Sequence, residues 1–263
     1  MLLFASTAGC SGWVGALAEP TPLGPDEILA RSIARLETSA TFQVEATIGG
    51  SIKAGSLGSL AGGIPIGLLG TLKLDGASMT GDVDVAGRAV HLVASLPSLF
   101  GLTAEIVVVD GYAYTKVNLL GDKFTKSKAP ASPAMASAGP YATLGFRDAV
   151  AQVKSILESY GTTAALVEVG KADGQDAYHL ALTVPDAGLS RLLQEVGGAA
   201  AAGLAVKIAQ VDYWVYVDTL RPARLVVKAS AAAIGSVDLD LSLTGYDQPV
   251  KIAAPPADQV NGT

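Results

Sequence analysis

Few residues in this sequence could do chemistry beyond packing: one cysteine, two histidines and two close pairs of aspartates. Cys10 follows a short apolar run (Leu2, Leu3, Phe4, Ala5) and the small residues Ala8 and Gly9. Small side chains there let a peptidase reach the backbone, and a cysteine just after the cut offers a thiol for acylation. Thr7 stands at the third position before the cysteine, and no Lys or Arg precedes the apolar run. Residues 1–9 are therefore expected to be the remnant of a signal peptide, and Cys10 the lipidation site. His91 and His179 fall on the polar faces of expected strands, where an exposed strand residue is the plain alternative to a base. Asp82/Asp84 and Asp238/Asp240 are i, i+2 pairs, so both members face one way. Spaced carboxylates could bind calcium or serve as acid and base, but on an alternating strand they chiefly keep a face soluble.

No G-x-S-x-G, HExxH or Walker A sequence occurs. With Cys10 committed to the tether, no thiolate remains for catalysis or zinc. No catalytic, metal or cofactor residue is expected, and the protein is not expected to be an enzyme. The net charge of −6 excludes the cationic footprint that nucleic acid requires. It equally opposes electrostatic recruitment to anionic lipid. Half the residues are apolar but only 6% are aromatic, so small aliphatic side chains supply the apolar mass and could line a void.

The elements follow from periodicity. Residues 10–25, with Pro20, Pro22 and Pro25, read as a flexible tether. Pro25-Asp26-Glu27 opens a helix to about residue 38, with Ile28, Leu29, Ile33 and Leu36 as its apolar stripe. Period-two alternation then marks strands at Phe42–Ile48, Met79–Val85 and Val90–Leu96. Asp110-Gly111 is a two-residue hairpin signal. It sets Glu105 against Lys116 and puts Ile106, Val108, Ala113, Thr115 and Val117 on one face. Residues 128–142 form a proline-containing loop, and Phe146 to Tyr160 reads as a second helix. Asp173-Gly174 joins two further strands near 163–171 and 175–184. Asp186 caps a third helix to about residue 200, and three strands near 211–218, 224–229 and 237–244 finish the domain.

Strands with one polar and one apolar face need a cover on the apolar side only, and amphipathic helices supply it. The expected class is α+β: a single curved, mostly antiparallel β-sheet, a half-barrel with helices across its concave face, enclosing an apolar cavity. The domain would span 26–250, with an irregular tail over 251–263.

This order of elements, with the lipobox-like start at Cys10, resembles the mycobacterial and actinobacterial LppX/LprG/LprF lipoprotein family. Thr41-Phe42-Gln43-Val44 after the first helix carries part of the likeness. So do the hairpin Val107 to Val117 and the run Val211 to Asp218 followed by Pro222-Ala223-Arg224-Leu225. The resemblance implies binding of acylated lipids or glycolipids in an apolar cavity, on the outer face of the bacterial cytoplasmic membrane, and their movement toward the outer envelope. Expected partners are such a lipid, the membrane through acylated Cys10, and a membrane lipid transporter. The alternative is a non-catalytic envelope scaffold or adhesin with a filled interior.

The inward-facing set proposes the cavity wall. On strands these are Val44, Ile48, Leu92, Ile106, Val108, Val117, Val215, Val227 and Leu241; on helices, Val153, Ile156, Leu189 and Leu193. Tyr213, Tyr178 and Tyr114 are candidates to meet a head group. Ala54 to Leu72 carries no charge and is too rich in glycine for a good helix. Leu57, Leu60, Ile64, Ile66, Leu68 and Leu69 within it are expected to form a cavity rim that touches the bilayer; a plain loop is the competing reading.

Overall fold

The computed structural model describes residues 22–53, 70–129, 154–155, 161–185, 206–233 and 235–261. Among these residues one complete α-helix, α1 (Pro25–Thr38), is followed by twelve strands. These are β1 (Thr41–Lys53), β2 (Thr71–Lys73), β3 (Ala77–Asp84), β4 (Ala89–Leu96), β5 (Leu102–Val109), β6 (Tyr112–Val117) and β7 (Thr125–Lys128). After them come β8 (Thr163–Ala172), β9 (Gln175–Thr183), β10 (Val206–Tyr216), β11 (Pro222–Ala231) and β12 (Gly235–Thr244). All pair antiparallel in one sheet of order β7-β6-β5-β4-β3-β1-β12-β11-β10-β9-β8, with β2 beside the end of β1. Among the described residues β7 and β8 are the outermost strands, and the sheet is curled but unclosed. The helices expected at 146–160 and 186–200 fall largely or wholly outside the described residues.

The two hairpin signals produce their turns. Asp110 and Asp173 have φ of 54° and 48°, and Gly111 and Gly174 follow at 76° and 78°. Positive φ at both central residues is the type I′ turn, whose twist matches that of the flanking strands. Glu105 pairs with Lys116 as the turn dictates, Nζ to Oε2 at 2.6 Å.

Side chains directly opposed across an antiparallel pair share a face, so the register defines two surfaces. α1 marks the inner one: its Ile28, Leu29 and Ile33 pack on Leu180, Tyr213 and Val215. The helix begins at Pro25, whose missing N–H costs nothing in the first turn, and Asp26 and Glu27 favour the positive end of the dipole. Ser32 is fully buried on its packed side and shares a 3.0 Å hydrogen bond with the Tyr213 hydroxyl. Burial pushes the Tyr213 phenol well above its ordinary pKa, with the Ser32 bond a smaller opposing effect, so it stays neutral. Asp26 Oδ1 accepts from the Ala164 N–H at 2.7 Å, tying the helix start to edge strand β8.

Residues beyond β12 return to the sheet. Tyr246 packs against Phe42, with ring centres 6.0 Å apart and planes tilted by 38°, and donates to the Pro222 carbonyl at 2.7 Å. Further on, Val260 bridges to Phe124, and Ile252 and Val260 pack against Val107, Tyr114 and Phe124.

Candidate functional site

The inner face carries an apolar surface that runs from β8 to β6. One row crosses ten strands: Leu166, Leu180, Tyr213, Leu225, Leu241, Ala46, Met79, Ala94, Ala104 and Val117. Beside it, Ile48 opposes Leu239 and Ala77, and Leu239 opposes Val227. On the other side Ile106 opposes Leu92, which opposes Gly81, which opposes Val44. The members named are apolar apart from the Tyr213 hydroxyl that Ser32 occupies, and polar side chains enter this face at Thr115 and β7, where Ile106 opposes Thr115 and Thr115 opposes Thr125. Small side chains cluster over β3 to β5, which lets a sheet curl toward that side. At Gly81 the requirement is absolute: a Cβ there would lie 2.0 Å from the His91 carbonyl oxygen and 2.7 Å from Leu92 Cδ2.

All nine strand residues expected to form the cavity wall lie on this face, and their burial divides them. Val215 is fully buried beneath α1 and belongs to the helix–sheet core. Ile106 and Val108 are buried with Ala113. Val44, Ile48, Leu92, Val117, Val227 and Leu241 are half-buried. Among the described residues α1 packs chiefly on β8, β10 and β11, leaving the inner face of β12, β1, β3 and β4 largely free of it. Val153, Ile156, Leu189 and Leu193 lie outside the described residues. So do Cys10 and the rim residues Leu57, Leu60, Ile64, Ile66, Leu68 and Leu69. Of the three tyrosines, Tyr178 opposes Val215 on the inner face and Tyr213 is sealed under α1. Tyr114 corrects the expectation: it opposes Val107 on the outer face, packed with Phe124. The hairpin parity that placed Ala113 and Thr115 inward requires this.

The outer face is built from pairs. The adjacent row reads Glu168, His179, Trp214, Arg224, Ser242, Glu45, Thr80, Val93, Glu105 and Lys116. His179 stacks on Trp214 at 4.3 Å with planes 6° apart, and the Arg224 guanidinium lies 5.1 Å from the Trp214 ring. Arg224 grips Asp240 bidentately at 2.8 and 2.5 Å, which raises the guanidinium pKa further. His179 Nε2 meets Asp212 at 3.0 Å, and His91 Nε2 meets Glu105 at 3.1 Å. Burial alone would raise the Glu105 pKa, but hydrogen bonds from Lys116 and His91 outweigh it and hold the carboxyl below its ordinary value. Both histidines thus sit where alternation placed them, as members of cross-strand pairs. Sequence reasoning missed the stack, because its members lie on three strands joined only by register.

A cavity of about 280 Å³ also opens on the outer face, lined by polar residues including Glu45, Lys171, Asp173, Arg224 and Asp240. The tip of the β8–β9 hairpin forms one wall, held by the Tyr216 hydroxyl bonding to Asp173 at 3.1 Å. Burial and the adjacent Asp173 charge push Tyr216 up to about 12. Its charged lining gives acyl chains nothing to bind, so the apolar inner face is the better candidate. Among the described residues no group of three or more His, Cys, Asp and Glu side chains could hold a metal ion, and no helix is long and apolar enough to cross a membrane.

Comparison with solved structures fits this geometry. The lipoprotein LppX of Mycobacterium tuberculosis superposes with a TM-score of 0.52, covering 86% of this chain and 96% of LppX at 14% identity. The chain has an LppX/LprF-like fold. LprF from Mycobacterium bovis gives a TM-score of 0.50 over 87% of this chain and 95% of its own, at 17% identity. At these identities the likeness shows the LppX/LprF fold and leaves the ligand to the chain's own surface. No protein-family model matches the sequence, and no curated protein does.

Proposed function

We propose that this protein is a non-catalytic, lipid-anchored lipoprotein of the cell envelope that binds acylated lipids or glycolipids on its inner face. It would carry them from the outer side of the cytoplasmic membrane toward the outer envelope. The observation that carries the reading is the apolar inner face, ten strands wide, whose half-buried aliphatic residues extend well beyond α1. The helices expected at 146–160 and 186–200 would close its far side, with Val153, Ile156, Leu189 and Leu193 against the ligand. Acyl chains need nothing else for affinity, since each buried methylene contributes about 0.8 kcal/mol. A lipid with two long chains would bind without a specific polar contact, and head-group choice would fall to the rim. The likeness to LppX, a lipoprotein, supports Cys10 as the acylated residue.

Native mass spectrometry of the full chain carrying Cys10→Ser, with organic extraction, tests the reading. Co-purifying lipid, or stoichiometric uptake of an added phospholipid, is expected. A chain that carries none and takes up none is instead the scaffold or adhesin.

A further inference from the structure

Eight large hydrophobic side chains are exposed among the described residues, and three of them gather at one end of the sheet. Phe100 is 77% exposed, Leu120 74% and Leu119 47%. They occupy two turns, 97–101 between β4 and β5 and 118–121 between β6 and β7. Asn118 latches these turns together: its Nδ2 donates to the Gly101 carbonyl and its Oδ1 accepts from the Thr103 N–H, both at 2.9 Å. The two turns are therefore braced against each other, and their apolar side chains stand exposed.

Much of the backbone of these turns is already hydrogen-bonded within the protein. The N–H groups of Leu99, Gly101 and Leu102 donate to Leu96, Pro97 and Leu99, and those of Leu120 and Gly121 both donate to Val117. Asn118 N–H donates to Thr103. Placing a donor in lipid costs several kcal/mol only when it is unpaired. A protein partner would seek a broad patch with polar groups to bond at its rim; here the exposed group is three apolar side chains on two short turns, and the donors named above are already paired. The charged residues that flank the turns sum to zero. Lys73, whose carbonyl accepts from Ser98 in the first turn, and Lys123 are matched by Asp75 and Asp122.

We propose that the turns bearing Phe100, Leu119 and Leu120 form a membrane-docking prong that enters the interfacial layer of a bilayer by apolar burial rather than by charge. This goes beyond the carrier reading and requires no bound ligand. The prong would hold the domain at a fixed orientation on the surface.

Flotation with lipid vesicles tests it, using the full chain with Cys10→Ser so that no acyl anchor contributes. Equal binding to phosphatidylcholine vesicles with and without phosphatidylglycerol is expected. Phe100→Ser, Leu119→Ser and Leu120→Ser together should weaken it about tenfold or more with an unchanged Tm. Independently, a Phe100→Trp chain should gain fluorescence that brominated acyl chains quench beyond the signal of Trp13 and Trp214. Unchanged flotation of the triple variant, absence of that quenching, or binding only to anionic vesicles and lost in salt would each overturn the proposal. So would self-association of the parent chain that the triple variant abolishes. Lipid uptake in the triple variant should be normal, so failure here leaves the carrier reading standing.

Discussion

Two rows of side chains run across the same ten strands one residue apart, and they are made by different physics. The inner row contains apolar side chains and the single sealed phenol of Tyr213, so nothing in its central part fixes one neighbour against another. The outer row carries specific contacts towards both ends, the His179–Trp214–Arg224 stack and the Glu105–Lys116 pair, to which His91 of the next outer row adds. Directional contacts of this kind fix register. Dispersion and burial are non-directional and accept any apolar shape of suitable volume. The outer face can therefore hold the sheet's alignment while the inner face stays free to accept a ligand.

The contrast can be broken most severely from the inside. Leu241→Asp would put a carboxylate at the centre of the apolar rows with no partner. It should abolish lipid uptake and cost about 3 kcal/mol or more, measured by denaturant unfolding, while the outer neighbour Ser242→Asp should cost less than about 1 kcal/mol. Gly81→Ala sharpens the role of curvature. Its methyl would collide with the His91 backbone, so β3 and β4 must separate, at a cost of about 2 kcal/mol or more, read as a lowered Tm. Tyr213→Phe strands the Ser32 hydroxyl under α1 and should cost about 1–2 kcal/mol. Adding Ser32→Ala should recover part of that loss, because the pair is coupled.

The smallest effect is electrostatic. Backbone N–H donation from Ala40 and the Arg221 ion pair outweigh desolvation and depress the pKa of Asp247, and Glu105 is depressed likewise. A carboxyl whose folded pKa lies below its unfolded value contributes stability that is present above the unfolded pKa. That stability is lost as pH falls through the folded one. Stability should thus decline below about pH 4, and Asp247→Asn should flatten that decline in Tm measured from neutral to acid pH.

Much of this was legible in the sequence because strand periodicity and turn chemistry are local. Asp110-Gly111 and Asp173-Gly174 gave their hairpins and the Glu105–Lys116 pair, and alternation put each strand-borne wall residue on the inner face. What was not legible depends on register between distant segments. The Ser32–Tyr213 bond spans 181 positions. The extension of β1 through Gly49 and Gly50 to Lys53 exists because β12 and β2 pair with it, against the low strand propensity of glycine. Short β7 is held by Lys126 over Tyr112 and Tyr114 rather than by any apolar pattern. The prong was missed because Phe100, Leu119 and Leu120 sit in turns, where periodicity is silent. Apolar residues where turn residues belong were the available signal.

The central claim is that acyl chains lie against the inner face, and photo-crosslinking tests it most directly. The Cys10→Ser chain would be loaded with a phospholipid bearing a diazirine in its acyl chain, irradiated, and mapped by peptide mass spectrometry. Adducts on Val44, Leu92 and Leu241, with none on Glu45, Val93 or Ser242, are the expected result. Adducts confined to the outer row, or none at all after confirmed loading, would contradict it.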